Sequence, residues 1–259
     1  MRRVLVIGIG AGDPDHVTMQ AVAALNTADV FFVMEKDAAA ELVRLRREIC
    51  ERYIEDTSYR IVEVRDPQRD RSAPDYAAAV AAWRSARADV WEALIAGELG
   101  DDGCGAFLVW GDPALYDSTI AVLDEIAARG RVAFEFEVIP GISSVQALAA
   151  AHRVPLNRVG EPIEITTGRR LRERLGCGDA GDAVVMLDAG NAFDAVEDRD
   201  MEIYWGAYVG TEHEILVSGR LRDVAGEIVR LRAEARERHG WIMDVYLLRR
   251  PSRRGERAS

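Results

Sequence analysis

The sequence predicts an α/β protein of two domains, with a mostly parallel sheet in the first and a mixed sheet in the second. Three observations lead there. In the first half, continuous apolar runs alternate with helical-period segments, the pattern of strands covered on both faces by crossover helices. In the second half, strand-like segments follow one another with only two strong helices between them, which calls for antiparallel neighbours. The chain has 259 residues, 49% apolar and 30% charged, enough for two modest cores and unlike a disordered chain.

Residues 4–9 form an apolar run closing on glycine, read as a buried parallel strand. Thr18 is placed to cap a helix whose apolar face is Met19, Val22 and Leu25. Residues 30–34 make a second strand, Leu42, Leu45 and Ile49 mark a helix running towards Tyr53, and residues 61–64 make a third strand. Residues 65–74 are polar, with two prolines, and read as a loop before a long helix with Tyr76, Val80, Trp83, Val90 and Leu94 on its apolar side. Residues 97–105 are rich in turn formers and 106–110 are another apolar strand. Val132, Phe134, Phe136 and Val138 then alternate with Ala133, Glu135 and Glu137, a half-exposed strand. Strands follow at 162–166, 183–188, 202–209, 214–217 and 241–248, with helices near 143–152 and 222–239. The expected domains are residues 1–137 and 138–259, with residues 251–259 polar, basic and frayed.

Acidic side chains number 44 against 33 Lys and Arg, a net charge of −11 that disfavours a nucleic-acid partner. No apolar stretch approaches the roughly 18 residues of a membrane span, and the run at residues 4–9 is too short for a secretory signal. Cys50, Cys104 and Cys177 are odd in number and far apart, and His16, His152, His213 and His239 do not cluster. A cytoplasmic protein with reduced thiols and no metal site is expected. Lys36 is the only lysine, so Schiff-base chemistry falls to it or to no residue.

Three loops follow predicted strands, where open parallel sheets place their ligands. The first is Gly8-Ile9-Gly10-Ala11-Gly12-Asp13-Pro14; Asp13 stands where a dinucleotide fingerprint needs its third glycine, which counts against a nicotinamide oxidoreductase. The second runs from Trp110 through Gly111-Asp112-Pro113 to Tyr116, with Asp112 placed either to cap the next helix or to bind an ammonium or ribose hydroxyl. The third is Pro140-Gly141-Ile142-Ser143-Ser144, whose serines cap a helix and whose amides suit a carboxylate. Each loop read alone is equally a plain turn.

In this order and spacing the loops resemble the tetrapyrrole methylase family, S-adenosylmethionine-dependent enzymes that methylate corrin precursors. Gly12-Asp13-Pro14, the helix from Thr18, Ala28-Asp29-Val30, Gly-Asp-Pro-x-x-Tyr at Gly111 to Tyr116, Pro-Gly-x-Ser-Ser at Pro140 to Ser144, Arg153-Val154-Pro155-Leu156-Asn157 and Gly210-Thr211 carry the resemblance, which spans about residues 4–248. It implies the two-domain tetrapyrrole methylase fold, with S-adenosylmethionine in a cleft between the domains, and a homodimer. The implied cofactor contacts are Gly111, Asp112, Tyr116, Ser143, Ser144, Met186, Leu187, Gly210 and Met243. The segments Leu45 to Cys50, Trp110 to Thr119 and Ile165 to Leu171 resemble the branch that methylates C1 of a precorrin with loss of an acetyl group as acetate. Trp110, Asp117 and Val33-Met34 depart from the general pattern, implying a reshaped pocket.

Water attack on an acetyl carbonyl calls for a general base. Asp13, His16, Glu35, Asp112 and Tyr116 are candidates by position; Asp13 and Glu35 rank first because both follow strand ends, and Tyr116 completes the catalytic set. Arg153, Arg169 and Arg170, with Arg158, Arg172 and Arg174 nearby, are candidates for substrate carboxylates, each also readable as part of a solvated face. Another tetrapyrrole methylase, a diphthine-synthase-like or ribosomal-RNA methyltransferase, a nucleotide-binding oxidoreductase and a non-catalytic binding module are the competing readings.

Overall fold

The computed structural model describes residues 1–35, 40–68, 75–176 and 181–251, which form two compact units, Met1–Ser143 and Ser144–Ser259. Lys36 and Cys177 lie outside the described residues, as does the side chain of Glu35.

The first unit contains β1 (Arg2–Gly8), α1 (Met19–Leu25), β2 (Val30–Glu35), α2 (Ala40–Tyr53), β3 (Arg60–Arg65), α3 (Tyr76–Glu98), β4 (Cys104–Val109), α4 (Thr119–Arg129) and β5 (Phe134–Ile139). Its strands are all parallel, in the order β3-β2-β4-β1-β5. The inner strands β1, β4 and β2 are buried on both faces, so they carry unbroken apolar runs. Alternate residues feed opposite cores. Val4, Val6 and Phe107 pack with Trp91 and Ile95 of α3 and Val122 and Ile126 of α4, while Leu5, Ile7 and Ala106 pack with Leu25 of α1 and Ile49 of α2.

Several expectations change here. Met19 is 81% exposed at the first turn of α1, and the helix buries Ala21 together with the expected Leu25. On α3 the fully buried residues are Ala88, Trp91 and Ile95, one step round from Val90 and Leu94; Trp91 stacks on Phe107 at 4.2 Å, and the larger ring sets the rotation. The alternating strand β5 is the edge of the parallel sheet, hydrogen-bonded to β1 from Arg2↔Phe134 to Ile7↔Ile139. A division at 137/138 would cut it, and the first unit runs on to Ser143. Asp112 caps no helix: α4 begins at Thr119, after Ser118.

The second unit contains α5 (Ser144–His152), β6 (Glu164–Thr167), α6 (Gly168–Leu175), β7 (Ala183–Met186), β8 (Glu202–Ala207), β9 (Ile215–Arg220), α7 (Leu221–His239) and β10 (Asp244–Arg249). The sheet order is β6-β7-β10-β8-β9, with β6 and β7 parallel and the other pairs antiparallel, so the sheet is mixed. Helix α6 is absent from the sequence reading. It starts under a Thr167 cap and buries only Gly168 and Leu171, too few apolar positions to show a period. Phe193, Trp205, Tyr208, Ile228 and Tyr246 fill the core. Asp188, Arg232 and Asp244 are drawn inside it as a network: Tyr246 Oη donates to Asp188 at 2.7 Å, Arg232 Nε to Asp244 at 2.8 Å and Trp205 Nε1 to Asp244 at 3.1 Å.

Candidate active site

The strands β4, β1 and β5 are neighbours, and their carboxyl ends bring the three loops together. Past Gly8 the chain continues against the loop after β4: Ile9 N–H donates to the Val109 carbonyl at 2.9 Å, and Gly111 N–H to the Gly10 carbonyl at 2.8 Å. The third loop closes on both. A methyl group added at Gly8 would lie 2.6 Å from the Gly141 nitrogen, and one added at Gly141 would lie 2.1 Å from the Gly111 carbonyl oxygen. Gly8, Gly111 and Gly141 therefore meet main chain to main chain, with no room for a side chain at Gly8 or Gly141. Asp112 fastens the junction: Oδ2 accepts from Gly141 N–H at 2.9 Å and Oδ1 from Ala114 N–H at 2.8 Å. Gly111 has φ +63, which a side chain resists, and Tyr116 in the same loop holds φ +54 despite its side chain. Left-handed backbone at a non-glycine residue costs on the order of 1–2 kcal/mol and clusters at functional loops. The Tyr116 ring is 46% exposed, and burial of the rest pushes its phenol above the ordinary range.

Asp13 serves the first loop's own turn, its carboxylate accepting from Asp15 N–H at 2.8 Å over the 3-10 turn Pro14–His16. Tyr53 Oη holds that turn at the Pro14 carbonyl, 3.0 Å away. His16 packs its Cβ against Gly10, and its buried Nδ1 has no partner among the described residues. Ser143 is buried at the end of the first unit, and Ser144 opens α5 in the second.

In the second unit, Met186, Leu187, Gly210 and Met243 gather at one end of the mixed sheet. Met186 sits in register with Thr167 and Val245, and the Met243 carbonyl accepts from Tyr208 N–H at 2.9 Å. Gly210 N–H donates to Glu214 at 2.9 Å. Leu187 holds φ +52 with its side chain 67% exposed, directly before the buried Asp188. The expected substrate arginines are spread out. Arg169 and Arg170 are exposed on α6, Arg170 pairing with Glu173 at 2.7 Å, while Arg172 donates to the Gly190 carbonyl and Arg174 pairs with Glu164. Arg158 donates to the Arg250 carbonyl, and Arg153 is exposed, with φ +57.

Two arginines escaped the sequence reading. Arg87 is buried between the rings of Trp83 and Trp91, at 4.9 and 4.7 Å, and donates to Asp66 at 2.6 Å and to Ser118 Oγ at 2.7 Å. It thereby anchors the far end of the Gly111–Tyr116 loop, and its signal was in the sequence as Trp-x3-Arg-x3-Trp, one helical face. Arg46 reaches from α2 to the start of the same loop: its Nε donates to the Leu108 carbonyl at 3.3 Å and its guanidinium lies over the Trp110 ring at 5.4 Å. It lies within the Leu45 to Cys50 segment singled out above, but nothing local to that segment points its side chain to this loop.

The model of the Tetrapyrrole (Corrin/Porphyrin) Methylases matches residues 3–225. The chain belongs to this family. Among curated proteins, the methylase is 53% identical over 251 residues to a precorrin-6A synthase (deacetylating) of Sinorhizobium sp, 96% of each chain being covered. A solved cobalamin synthesis related protein, CobF of Corynebacterium diphtheriae, shares its structure with TM-score 0.81 and 36% identity, over 96% of this chain and 98% of that one. A uroporphyrin-III C-methyltransferase of Thermus thermophilus, solved with S-adenosyl homocysteine, shares the fold at TM-score 0.59 and 18% identity, over 95% and 92% of the two chains. Among its described residues the methylase has no group of three or more His, Cys, Asp or Glu placed to hold a metal, and no helix long and apolar enough to cross a membrane. Cys50 and Cys104 are buried free thiols.

Proposed function

We propose that this methylase transfers a methyl group from S-adenosylmethionine to C1 of precorrin-5 and releases the acetyl group as acetate, giving precorrin-6A. The observation that carries the reading is the 53% identity, over 96% of both chains, to a precorrin-6A synthase (deacetylating).

The first unit's loops fit the donor. A zwitterionic nucleoside needs close approach to bare amides and carbonyls, and the Gly8–Gly111–Gly141 junction is main chain that a side chain at Gly8 or Gly141 would obstruct. When bound, the donor supplies a methyl group already activated by its sulfonium charge. Gly111, Asp112, Tyr116 and Ser143 are its assigned contacts in the first unit; Ser144, Met186, Leu187, Gly210 and Met243 are those in the second. Asp112 acts through the loops it ties, since both its carboxylate oxygens hold backbone amides. The chain's task is orientation, which is worth several kcal/mol of barrier when reacting atoms are held about 3–3.5 Å apart.

Removal of the acetyl group consumes water. Its oxygen adds to the acetyl carbonyl, the bond from acetyl to macrocycle breaks, acetate departs, and the electron pair left on the ring carbon becomes available for methylation. With its phenol held above the ordinary range, Tyr116 stays protonated at neutral pH and is assigned as a hydrogen-bond donor to the acetyl oxygen rather than as the base. Asp13 and Glu35 remain the candidates for the base. The methylase is assigned to the cytoplasm and to a homodimer, the latter read by light scattering.

The test is incubation with precorrin-5 and methyl-labelled S-adenosylmethionine, following label in the macrocycle and acetate in solution. Equal yields of both are expected. Methylation without acetate would reject the deacetylating reading and favour methylation of a different precorrin. Asp13→Asn and Glu35→Gln separate the two bases: the true one loses acetate release by about 10²–10⁴-fold.

A further inference from the structure

Leu187 combines a side chain that is 67% exposed with left-handed backbone at φ +52. Strain of this kind persists only where the surroundings over-determine it. Here the surroundings are the polar network of the second core. On one side Met186 is locked into the sheet opposite Val245 and Thr167. On the other, all three oxygens of Asp188 are engaged. Its carbonyl accepts from Arg232 Nη2, and the Nε of the same guanidinium donates to Asp244 at 2.8 Å. Its carboxylate accepts from Gly190 N–H at 3.0 Å, Ala192 N–H at 2.6 Å and Tyr246 Oη at 2.7 Å. Gly168 closes in beside it, since a methyl group there would lie 2.4 Å from Asp188 Oδ1. Asn191, at φ +52, completes the turn, and Arg172 holds the Gly190 carbonyl from the exposed side. A buried network of charges is a poor source of stability, because desolvation offsets most of what the pairing returns. What this one secures is the path of residues 186–192.

We propose that Asp188 and Tyr246 are positioning residues for the methyl donor: by fixing the peptide that follows Leu187, they hold its side chain out from the end of the mixed sheet as a preformed apolar contact for the nucleoside. The proposal rests on the assignment of Leu187 as a donor contact, and not on which precorrin is methylated or on acetate release. Neither residue is a contact itself, since Tyr246 is fully buried and Asp188 is 4% exposed. Burial, and then the adjacent Asp188 carboxylate, push the Tyr246 phenol upward, so its Oη keeps the proton that it donates. A contact held ready in the free protein spares binding the cost of ordering it.

The test is calorimetry of the full-length protein with S-adenosylmethionine, with urea unfolding to establish that each variant is folded. Tyr246→Phe removes one hydrogen bond from Asp188 at nearly constant volume. Affinity falls in proportion to the loss of the competent conformation, about three- to ten-fold. Leu187→Ala removes the presented side chain and is expected to weaken binding by a similar factor. The double variant decides: because Tyr246 acts through Leu187, Tyr246→Phe should add less than about two-fold in the Leu187→Ala background. A hydrogen bond that served the core alone would lower the urea midpoint and leave affinity untouched. Tyr204→Phe, which removes a hydroxyl bonded to Glu202 in the same sheet, is the control and should bind as the wild type does. If Tyr246→Phe does not fold, Arg172→Gln loosens the same turn from its exposed side and should show the same coupling to Leu187→Ala. A folded Tyr246→Phe protein with wild-type affinity, or two factors that simply multiply in the double variant, overturns the proposal and leaves the donor site standing. A wild-type protein that binds no S-adenosylmethionine overturns the donor reading itself, and the proposal with it.

Discussion

Gly141→Ala is the most demanding perturbation of the loop junction. The added methyl would sit 2.1 Å from the Gly111 carbonyl oxygen and 2.8 Å from the Gly8 carbonyl carbon, where ordinary contact begins at 3.4 Å. The nearest gap is thus short by about 1.3 Å, and both neighbours are main chain, so no side-chain rotation relieves it. To make room, the third loop must draw back from the second. That stretches the Asp112–Gly141 hydrogen bond of 2.9 Å and the Gly111–Gly10 bond of 2.8 Å. Overpacking costs about 1–3 kcal/mol, and the charge-assisted and neutral hydrogen bonds are worth about 1.5–3 and 1 kcal/mol. With the bonds stretched and only partly lost, about 3–5 kcal/mol of destabilisation is expected. With a urea slope of roughly 2–3 kcal/mol/M, the unfolding midpoint falls by about 1–2 M. Calorimetry with S-adenosylmethionine completes the assay, and an affinity at least ten-fold weaker is expected. A Gly141→Ala protein that unfolds within about 0.5 kcal/mol of the wild type, with unchanged donor affinity, would refute the idea that packed glycine main chain forms the donor site.

Other outcomes follow from the same geometry. Gly226→Ala, on the exposed face of α7 with nothing within 4 Å of the added methyl, is expected to stabilise the protein by about 0.5–1 kcal/mol in the same urea assay. Arg87→Ala leaves the buried Asp66 carboxylate without its cation and frees Ser118; a loss of about 3–5 kcal/mol is expected, and a variant within 1 kcal/mol of the wild type speaks against the anchor. Burial, with a smaller push from Glu51, raises the Cys50 thiol to about 11. The native protein should therefore resist iodoacetamide at Cys50 at pH 8, as read by mass spectrometry of the peptide. Because the folded thiol holds its proton more tightly than the unfolded one, stability present below pH about 9 erodes as pH rises towards about 11, and Cys50→Ala should remove that erosion.

What the sequence revealed depended on whether the signal was local. Strands β1 and β4 are buried on both faces and so announce themselves as unbroken apolar runs, and the glycines that follow them mark the loops directly. The mixed second sheet was legible from its closely spaced strands. Helix α6 was not, because one buried leucine among arginines has no period. The face of α3 was misplaced by one residue, since its alanines satisfy two rotations and only the Trp91–Phe107 stack chooses between them. Asp112 followed by proline has the form of a helix cap, but its carboxylate spends one oxygen on Gly141, 29 positions away, which no local rule anticipates. Arg46 was hidden for the same reason: its partners Leu108 and Trp110 lie beyond β3 and α3 in the chain. Proximity across a sheet, rather than spacing along the sequence, assembles the candidate site.

The glycine junction also bears on how such a catalyst can be retuned. A wall made of peptide groups owes nothing to residue identity except at Gly8 and Gly141, where a Cβ has no room, and at Gly111, whose φ of +63 a side chain resists. Elsewhere in the same loops, as at Trp110 and Asp117, side chains can be exchanged to suit a differently shaped macrocycle without dismantling the platform proposed for the methyl donor. Attempts to engineer new ring specificity should begin at those flanking positions and leave the three glycines alone.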